Sequence, residues 1–434
     1  MSNLPQAFID EMKSLLPEQE WTDFFGVYDE KPYKGVRVNT LKCDSDTLRK
    51  YVPFDSVCVE WEENGFCTQE EKVGGNPAHF AGLFYSQEPS AMCAAPLLEV
   101  QAGERVLDLC SAPGGKGTQL AARMQGAGVL VLNEPVFSRA KILSQNVERM
   151  GVKNAVVTSA MPHELSEKLP NYFDKILVDA PCSGEGMFRK NAKEALEEWS
   201  VENVALCAKR QSEILDEATK MLKVGGRLVY STCTFSYAED EGQVQAYLQK
   251  HPEMRLIKQE KLYPHKVKGE GHFAALFEKI DGIDTQIVKT LKPACSKSAE
   301  KAYQEFEKSF FKGTFARYLH EVNGVLYELP QGVFDWKGLQ VLRVGVRLGE
   351  MVNGRFEPSH SLAMACRADE CKNTYSLAFD DVALDKFLRG ETVEGDAGKG
   401  WCLVCLDSYP VGLGKCVNGV LKNHIPKGLR KSSK

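Results

Sequence analysis

Apolar residues recur along this chain at two different spacings, and the spacing changes with position. Between residues 86 and 280, short apolar runs alternate with segments whose apolar residues fall three and four apart. The runs Arg105–Leu109 (RVLDL), Gly128–Asn133 (GVLVLN), Ala155–Thr158 (AVVT), Lys175–Val178 (KILV) and Arg227–Tyr230 (RLVY) read as buried strands. The segment carrying Ala140, Leu143, Val147 and Met150 reads as a helix with one apolar face. So does Lys209–Leu222, with Ile214, Leu215, Ala218, Met221 and Leu222. The resulting β-α-β-α-β-α-β-α-β order predicts an α/β fold with a doubly wound parallel sheet. Such sheets bind ligands at the C-terminal ends of their strands.

The flanks follow other patterns. Residues 1–85 combine an amphipathic segment (LPQAFIDEMKSLL), a strand-like run Gly35–Lys42 (GVRVNTLK) and a capped helix (DSDTLRKYV), which predicts an N-terminal α/β extension. Residues 281–312 are polar and lysine-rich and read as a linker with a short helix. Residues 313–434, with short strands and many glycines, read as a small β-rich domain.

Composition narrows the class. Of 434 residues, 43% are hydrophobic and 26% charged, which excludes wholesale disorder and collagen-like fibres. The apolar runs are strand-sized, far short of the ~18 residues that suggest a membrane span. The N-terminus lacks the basic start and continuous apolar run of a secretory signal, so the expected compartment is the cytoplasm and no membrane partner is expected. Fourteen cysteines in a reducing compartment are thiols, catalytic groups or metal ligands rather than disulfides. The net charge of −5 argues against a surface coated in nucleic acid but leaves room for a local basic strip.

The first strand runs into CSAPGGKG (Cys110–Gly117), where glycines let backbone approach a ligand and the next helix offers free N–H groups. A P-loop would need Gly at Cys110 and Ser or Thr at Gly117, and the dinucleotide fingerprint G-x-G-x-x-G is absent. Glu134 closes the second strand, where a carboxylate can accept both ribose hydroxyls. Ribose recognition without a phosphate cradle points to S-adenosylmethionine.

Two cysteines stand at strand ends. The fourth strand leads into DAPCSGEGMFRKN (Asp179–Asn191) and the fifth into STCTFSYAEDE (Ser231–Glu241). Most cysteines are small core hydrophobes, but Cys182 and Cys233 lie in ligand-facing loops and converge with Asp179 on one cleft. Methylation at carbon 5 of a pyrimidine needs three such groups. A thiolate adds to C6, an acid stabilises charge at N3, and a base removes the C5 proton so that the thiolate leaves. Cys233, Asp179 and Cys182 are candidates for these roles.

VLDLCSAPGGKG, ILVDAPCSGEGMFRK and LVYSTCTF resemble the Nop/Sun family of RNA 5-methylcytosine methyltransferases, as do VRVNTLK and GEGHFAALFEK (Gly269–Lys279). The resemblance spans about residues 30–280, with five motifs in order. It implies a Rossmann-like methyltransferase core using S-adenosylmethionine. It also implies that Cys233 is the nucleophile and that Cys182 assists product release. The cofactor site would comprise Cys110, Ser111, Ala112, Pro113, Gly114, Gly115, Lys116, Glu134 and Asp179. One position departs: after the third strand many relatives carry an acid that reads the adenine amino group, whereas TSAMPHEL supplies no carboxylate at Ser159–Met161. A Ser159 hydroxyl or a backbone carbonyl is the expected substitute.

FEPSHSLAMAC (Phe356–Cys366) and SYPVGLGKCVNGVLKNHIPKGLRK resemble the C-terminal part of RsmF-type ribosomal RNA methyltransferases, with its PUA-like RNA-binding module. Residues 411–434 carry Lys415, Lys422, Lys427, Arg430, Lys431 and Lys434 and no acid, a strip suited to phosphates or simply a solvated tail. The RNA-contact candidates are Arg37, Asn39, Arg189, Lys190, Lys422, Lys427 and Arg430. The expected partner is ribosomal RNA or the small subunit, bound by a monomer. The alternatives are the same reaction on transfer RNA and a non-catalytic RNA-binding assembly factor. No metal is expected. Cys402-x-x-Cys405 has zinc spacing but lies in a strand, where residues three apart face opposite sides. CSGEG lacks the glycine of a serine-hydrolase elbow.

Overall fold

The computed structural model describes residues 4–70, 73–283, 287–395 and 398–432. Strands β1 (Lys34–Val38), β2 (Cys58–Val59), β3 (Glu62–Thr68) and β4 (Phe84–Ser86) form an N-terminal sheet in the order β2-β3-β1-β4. The next seven strands are β5 (Arg105–Asp108), β6 (Val129–Asn133), β7 (Ala155–Thr158), β8 (Phe173–Asp179), β9 (Leu222–Thr232), β10 (Met254–Leu262) and β11 (His272–Lys279). They build the central sheet, in which β5 to β9 are parallel and β10 and β11 antiparallel.

Every residue of β6 is buried, because helices cover both faces of the sheet. Alternate residues feed two cores. Val129, Val131, Val156, Ile176 and Val178 pack with Leu165, Ile214, Leu215 and Ala218 on one face. Leu130, Leu132, Val157, Leu177 and Val229 pack with Leu120, Met124, Leu143 and Val147 on the other. The helix expected from Lys209 runs Val201–Met221, started by Ser200, whose side chain accepts the Asn203 N–H.

The C-terminal half differs from the expected linker and single β domain. The helix Lys297–Phe310, capped by Ser296, buries Ala299, Tyr303, Phe306 and Phe310 against Phe356 and Leu362. It is therefore a packed element rather than a tether. Strands β12 (Leu319–Val322), β13 (Val325–Glu328), β15 (Val346–Val352) and β16 (Arg355–Pro358) form a sheet of their own. Between them β14 (Val341–Val344) leaves that sheet and pairs antiparallel with β7, completing the central sheet as an eighth strand. Buried Arg343 secures it by pairing with Glu148 and donating to Ser361 Oγ at 3.0 Å.

The last unit contains β17 (Thr374–Leu377), β18 (Val393–Glu394), β19 (Gly400–Leu406), β20 (Tyr409–Val417) and β21 (Val420–Asn423). Its Phe387, Leu388 and Val404 share a core with Leu48, Val52 and Phe84 of the N-terminal unit. Cys402 and Cys405 are buried in two different cores, one on each side of β19.

Candidate active site

The loop after β5 is shaped by close approach. Gly114 has φ +112°, a left-handed conformation that glycine adopts without strain, and it starts the helix Gly115–Met124. A Cβ on Gly117 would meet Ser111 Oγ at 2.5 Å and Leu132 at 2.7 Å, so this helix sits directly on the sheet. Asn146 Nδ2 donates to Pro113 O at 2.9 Å and Arg139 Nη2 to Ala112 O at 3.0 Å, which fixes the loop backbone. Ser111 Oγ donates to buried Asp108 at 2.7 Å, and burial pushes the Asp108 carboxyl up to about 7.

The loop borders a cavity of 890 Å³. Cys110, Ala112, Glu134, Pro135 and Val136 line one end, Met161, Pro162 and His163 one side, and Asp179 to Gly184 with Cys233 the other end. Glu134 is buried, accepts the Val136 N–H at 2.9 Å and lies 3.3 Å from Arg139 Nη1. The loop backbone at Cys110 and Ala112, the buried Glu134 carboxylate and this volume fit an adenosyl group with an amino-acid tail. Ser159 does not line the cavity: its hydroxyl donates to Pro135 O at 3.1 Å. The hydroxyl expected to meet adenine thus spends its proton on the backbone beside Glu134. In the same turn Ala160 N–H and C=O both bond Asn133 and Met161 N–H bonds Glu164, while Met161 lines the cavity.

At the other end the two cysteine loops meet. Asp179 and Ser231 are register partners on parallel β8 and β9, so both strands end at the same edge. Cys182 Sγ and Cys233 Sγ are 3.2 Å apart, and Cys233 N–H points to Cys182 Sγ at 3.4 Å. Ser183 Oγ meets Thr234 Oγ1 at 2.9 Å, Gly186 N–H donates to Cys233 O at 2.9 Å, and Phe235 N–H to Glu185 at 2.9 Å. The hydrogen bond to Cys233, with burial, pushes the Cys182 thiol well up. Cys182 therefore stays a thiol at neutral pH and is able to donate toward the Cys233 sulfur.

Burial alone would raise Asp179, but Lys116, His272 and Ser231 outweigh it and hold the carboxyl below its usual range. Lys116 Nζ lies 2.8 Å from Oδ2 and Ser231 Oγ 2.8 Å from Oδ1. Asp179 is thus a carboxylate at neutral pH, not the protonated acid expected from the reaction chemistry. Burial works against the Lys116 charge, yet Asp179 raises its pKa, so the ammonium persists.

Three of the RNA candidates are structural. Arg37 is 2% exposed, donates to Gly115 O at 2.6 Å and Thr118 Oγ1 at 2.7 Å, and also bonds Gln87. Asn39 is 1% exposed and donates to Gly82 O and Met150 O. The Arg189 guanidinium is 3% exposed and forks onto Glu270 at 2.7 and 2.8 Å. Side chains buried and held in this way are not presented to a phosphate. Lys190, Lys422 and Lys427 are exposed, whereas Arg430 is half-buried and donates to Ile425 O.

His272 and Glu239 were not among the candidates. His272 is buried with Nε2 3.7 Å from Asp179 Oδ1, and neither ring nitrogen has a hydrogen-bond partner. A histidine inside the apolar run HFAALF was the available signal.

Comparison with known proteins covers nearly the whole chain. A family model described as 16S rRNA methyltransferase RsmB/F matches residues 95–278, and one for the N-terminal domain of 16S rRNA methyltransferase RsmF matches 4–89. The RsmF rRNA methyltransferase first C-terminal domain matches 305–366 and the methyltransferase RsmF PUA domain 374–431, so these models divide where the two C-terminal sheets divide. The chain is 32% identical over 465 residues to ribosomal RNA small subunit methyltransferase F of Vibrio vulnificus (strain YJ016), covering 98% of this chain and 97% of that protein. The protein of the same description from Shewanella piezotolerans is 32% identical over 475 residues, covering 99% and 98%. A methyltransferase homolog from Pyrococcus horikoshii superposes with TM-score 0.54 at 26% identity, covering 64% of this chain and 100% of that structure.

Proposed function

The chain belongs to the RsmF-type branch of the Nop/Sun methyltransferases, which use S-adenosylmethionine, and from that premise we propose that it methylates carbon 5 of a cytosine in 16S ribosomal RNA. The relatives' description as small-subunit rRNA methyltransferases supports the substrate. The observation that carries the C5 chemistry is the 3.2 Å approach of Cys182 and Cys233 beside Asp179 in one cavity.

S-adenosylmethionine supplies an electrophilic methyl on its sulfonium. Glu134 would hold the ribose hydroxyls, and Cys110 and Ala112 of the loop after β5 would border the cofactor. The Cys233 thiolate adds to C6 and makes C5 nucleophilic. Asp179 accepts from the cytosine 4-amino group, and Lys116 places positive charge against the charge that develops at N3. After methyl transfer the C5 proton is lost and the Cys233–C6 bond breaks, with the Cys182 S–H donating to the departing thiolate. The target base must leave its stack to reach this edge. Lys190, Lys422 and Lys427 are the RNA-contact residues in this reading, and the cytoplasm is the expected compartment.

Bisulfite sequencing of total RNA from cells with and without the gene tests the reading. The expected result is loss of one or more unconverted cytosines in 16S rRNA. Loss confined to transfer RNA would move the substrate, and no loss anywhere would overturn the C5 assignment.

A further inference from the structure

Behind the cysteine loops lies a buried polar pair that the mechanism above leaves unused. Glu239 is 0% exposed. Its carboxylate accepts the Ser183 N–H at 3.0 Å and Gln211 Nε2 at 2.7 Å. Gln211, equally buried, donates a second time to Pro181 O at 3.0 Å. The residues on both sides of Cys182 are thus tied to one carboxylate–amide pair. The pair spans two elements: Gln211 belongs to the helix Val201–Met221, and Glu239 to the turn after Cys233. Tyr230 on β9 anchors that turn by donating to Glu239 O at 2.6 Å.

A buried carboxylate is unfavourable unless its acceptor capacity is used, and an apolar side chain fills space at lower cost. Here the carboxylate does something an apolar side chain cannot, since it fixes the backbone at Ser183. Cys233 is held in addition by Gly186 N–H on its carbonyl, a contact in which the pair takes no part. The Glu239–Gln211 pair grips the chain directly on both sides of Cys182, and reaches the Cys233 loop only through the Ser183–Thr234 hydroxyl contact.

We propose that Glu239, with Gln211, is a positioning residue for product release, aiming the Cys182 S–H at the Cys233 sulfur as the C6–S bond breaks. The proposal rests on the assignment of Cys233 as nucleophile and Cys182 as release partner. In that step the C5 proton passes to solvent water and the C5=C6 bond re-forms. The electron pair of the C6–S bond goes to Cys233 Sγ, where the Cys182 S–H stabilises it. Addition and methyl transfer need none of these contacts.

The test uses the full chain, S-adenosylmethionine and small-subunit ribosomal RNA from cells lacking the gene, with Glu239→Ala, Gln211→Leu and Cys182→Ala compared. Single-turnover methyl transfer and the protein–RNA adduct on a denaturing gel are read together. Glu239→Ala is expected to transfer methyl in the first turnover, to lower kcat about tenfold with an unchanged KM for the cofactor, and to accumulate the adduct. Glu239→Gln keeps an acceptor for Ser183 N–H and is expected to restore much of the release rate. Gln211→Leu removes the donor to Pro181 O and one of the donors to Glu239, leaves Ser183 N–H on the carboxylate, and is expected to accumulate less adduct. It keeps the proposal open to refutation if Glu239→Ala fails to fold. Adduct with Cys182→Ala but with neither Glu239→Ala nor Gln211→Leu would overturn the role of the pair. Adduct with none of the three would overturn the cysteine assignment and this inference with it.

Discussion

The sulfur atoms of Cys182 and Cys233 lie 3.2 Å apart although 51 positions separate them in the chain. Parallel pairing brings this about. β8 and β9 are in register at Asp179 and Ser231, so the residues just beyond them emerge at one edge of the sheet. The contact with Cys233, together with burial, holds Cys182 in its thiol form.

The two sulfurs should therefore fail in different ways. Cys233→Ala is expected to abolish methylation and form no covalent complex. Cys182→Ala should attack, transfer methyl and then stall, giving a slow-migrating protein–RNA band on a denaturing gel that the double variant lacks. Asp179→Ala impairs attack itself and should not accumulate the band. Trapping by Cys233→Ala and none by Cys182→Ala would exchange the two roles.

Glu134→Ala is expected to weaken S-adenosylmethionine binding by about 1–3 kcal/mol in calorimetric titration, through loss of the ribose acceptor. Glu134 also accepts the Val136 N–H, so part of the effect is turn geometry. Glu134→Gln keeps one acceptor oxygen and should lose less. Unchanged affinity in both variants would place the ribose elsewhere.

The strand ends were legible because a parallel sheet covered on both faces writes continuous apolar runs into the sequence. The order of strands along the chain is enough to bring Cys182, Cys233 and Asp179 to one edge. Side-chain partners far apart in sequence were not legible. Arg37 and Arg189 look like RNA contacts as isolated charges, yet Arg37 ends on Gly115, 78 positions away, and Arg189 on Glu270, 81 positions away. The helix Lys297–Phe310 has its apolar residues at helical spacing, but lysines and glutamates between them gave the segment the look of a linker. β14 is four residues long, and nothing local in VLRV says that it pairs with β7 rather than with its neighbours.

His272 carries a pH signature. Burial pushes its imidazole down from 6.5 to about 3, helped by the Lys116 charge and opposed by Asp179. A depressed folded-state value means the stability is present above about pH 6.5. It is lost as pH falls toward 3, because only the unfolded chain takes up the proton. The loss is about 1.4 kcal/mol per pH unit in that window. His272→Phe removes the titrating group, so its thermal midpoint should fall less steeply than the native protein's between pH 6.5 and 5. Parallel curves would mean the imidazole is already charged in the fold.

Lys422 and Lys427 are exposed in the C-terminal unit, so replacing them should leave the fold intact. Lys422→Glu with Lys427→Glu is expected to weaken 16S rRNA binding without changing the thermal midpoint, and to reduce the slope of log affinity against log salt by about 2. An unchanged slope would take this strip off the RNA.

The region after residue 312 is not separable from the methyltransferase core, because it returns a strand to the core. β14 covers the edge of β7, whose four residues are all buried, and Arg343 brings the partner of Glu148. A chain ending at Lys312 would expose the β7 N–H and C=O groups and leave Glu148 without its guanidinium. It would also lose the surface that Phe387 and Leu388 offer to the N-terminal unit. Truncation there is expected to give a destabilised or insoluble protein with impaired cofactor binding. Arg343→Ala tests the same joint in a full-length chain: breaking a mostly buried ion pair costs about 3 kcal/mol. Its denaturant midpoint should fall accordingly, while both cysteines stay in place. A truncated protein that binds S-adenosylmethionine with native affinity and stability would show that β14 only rests against β7.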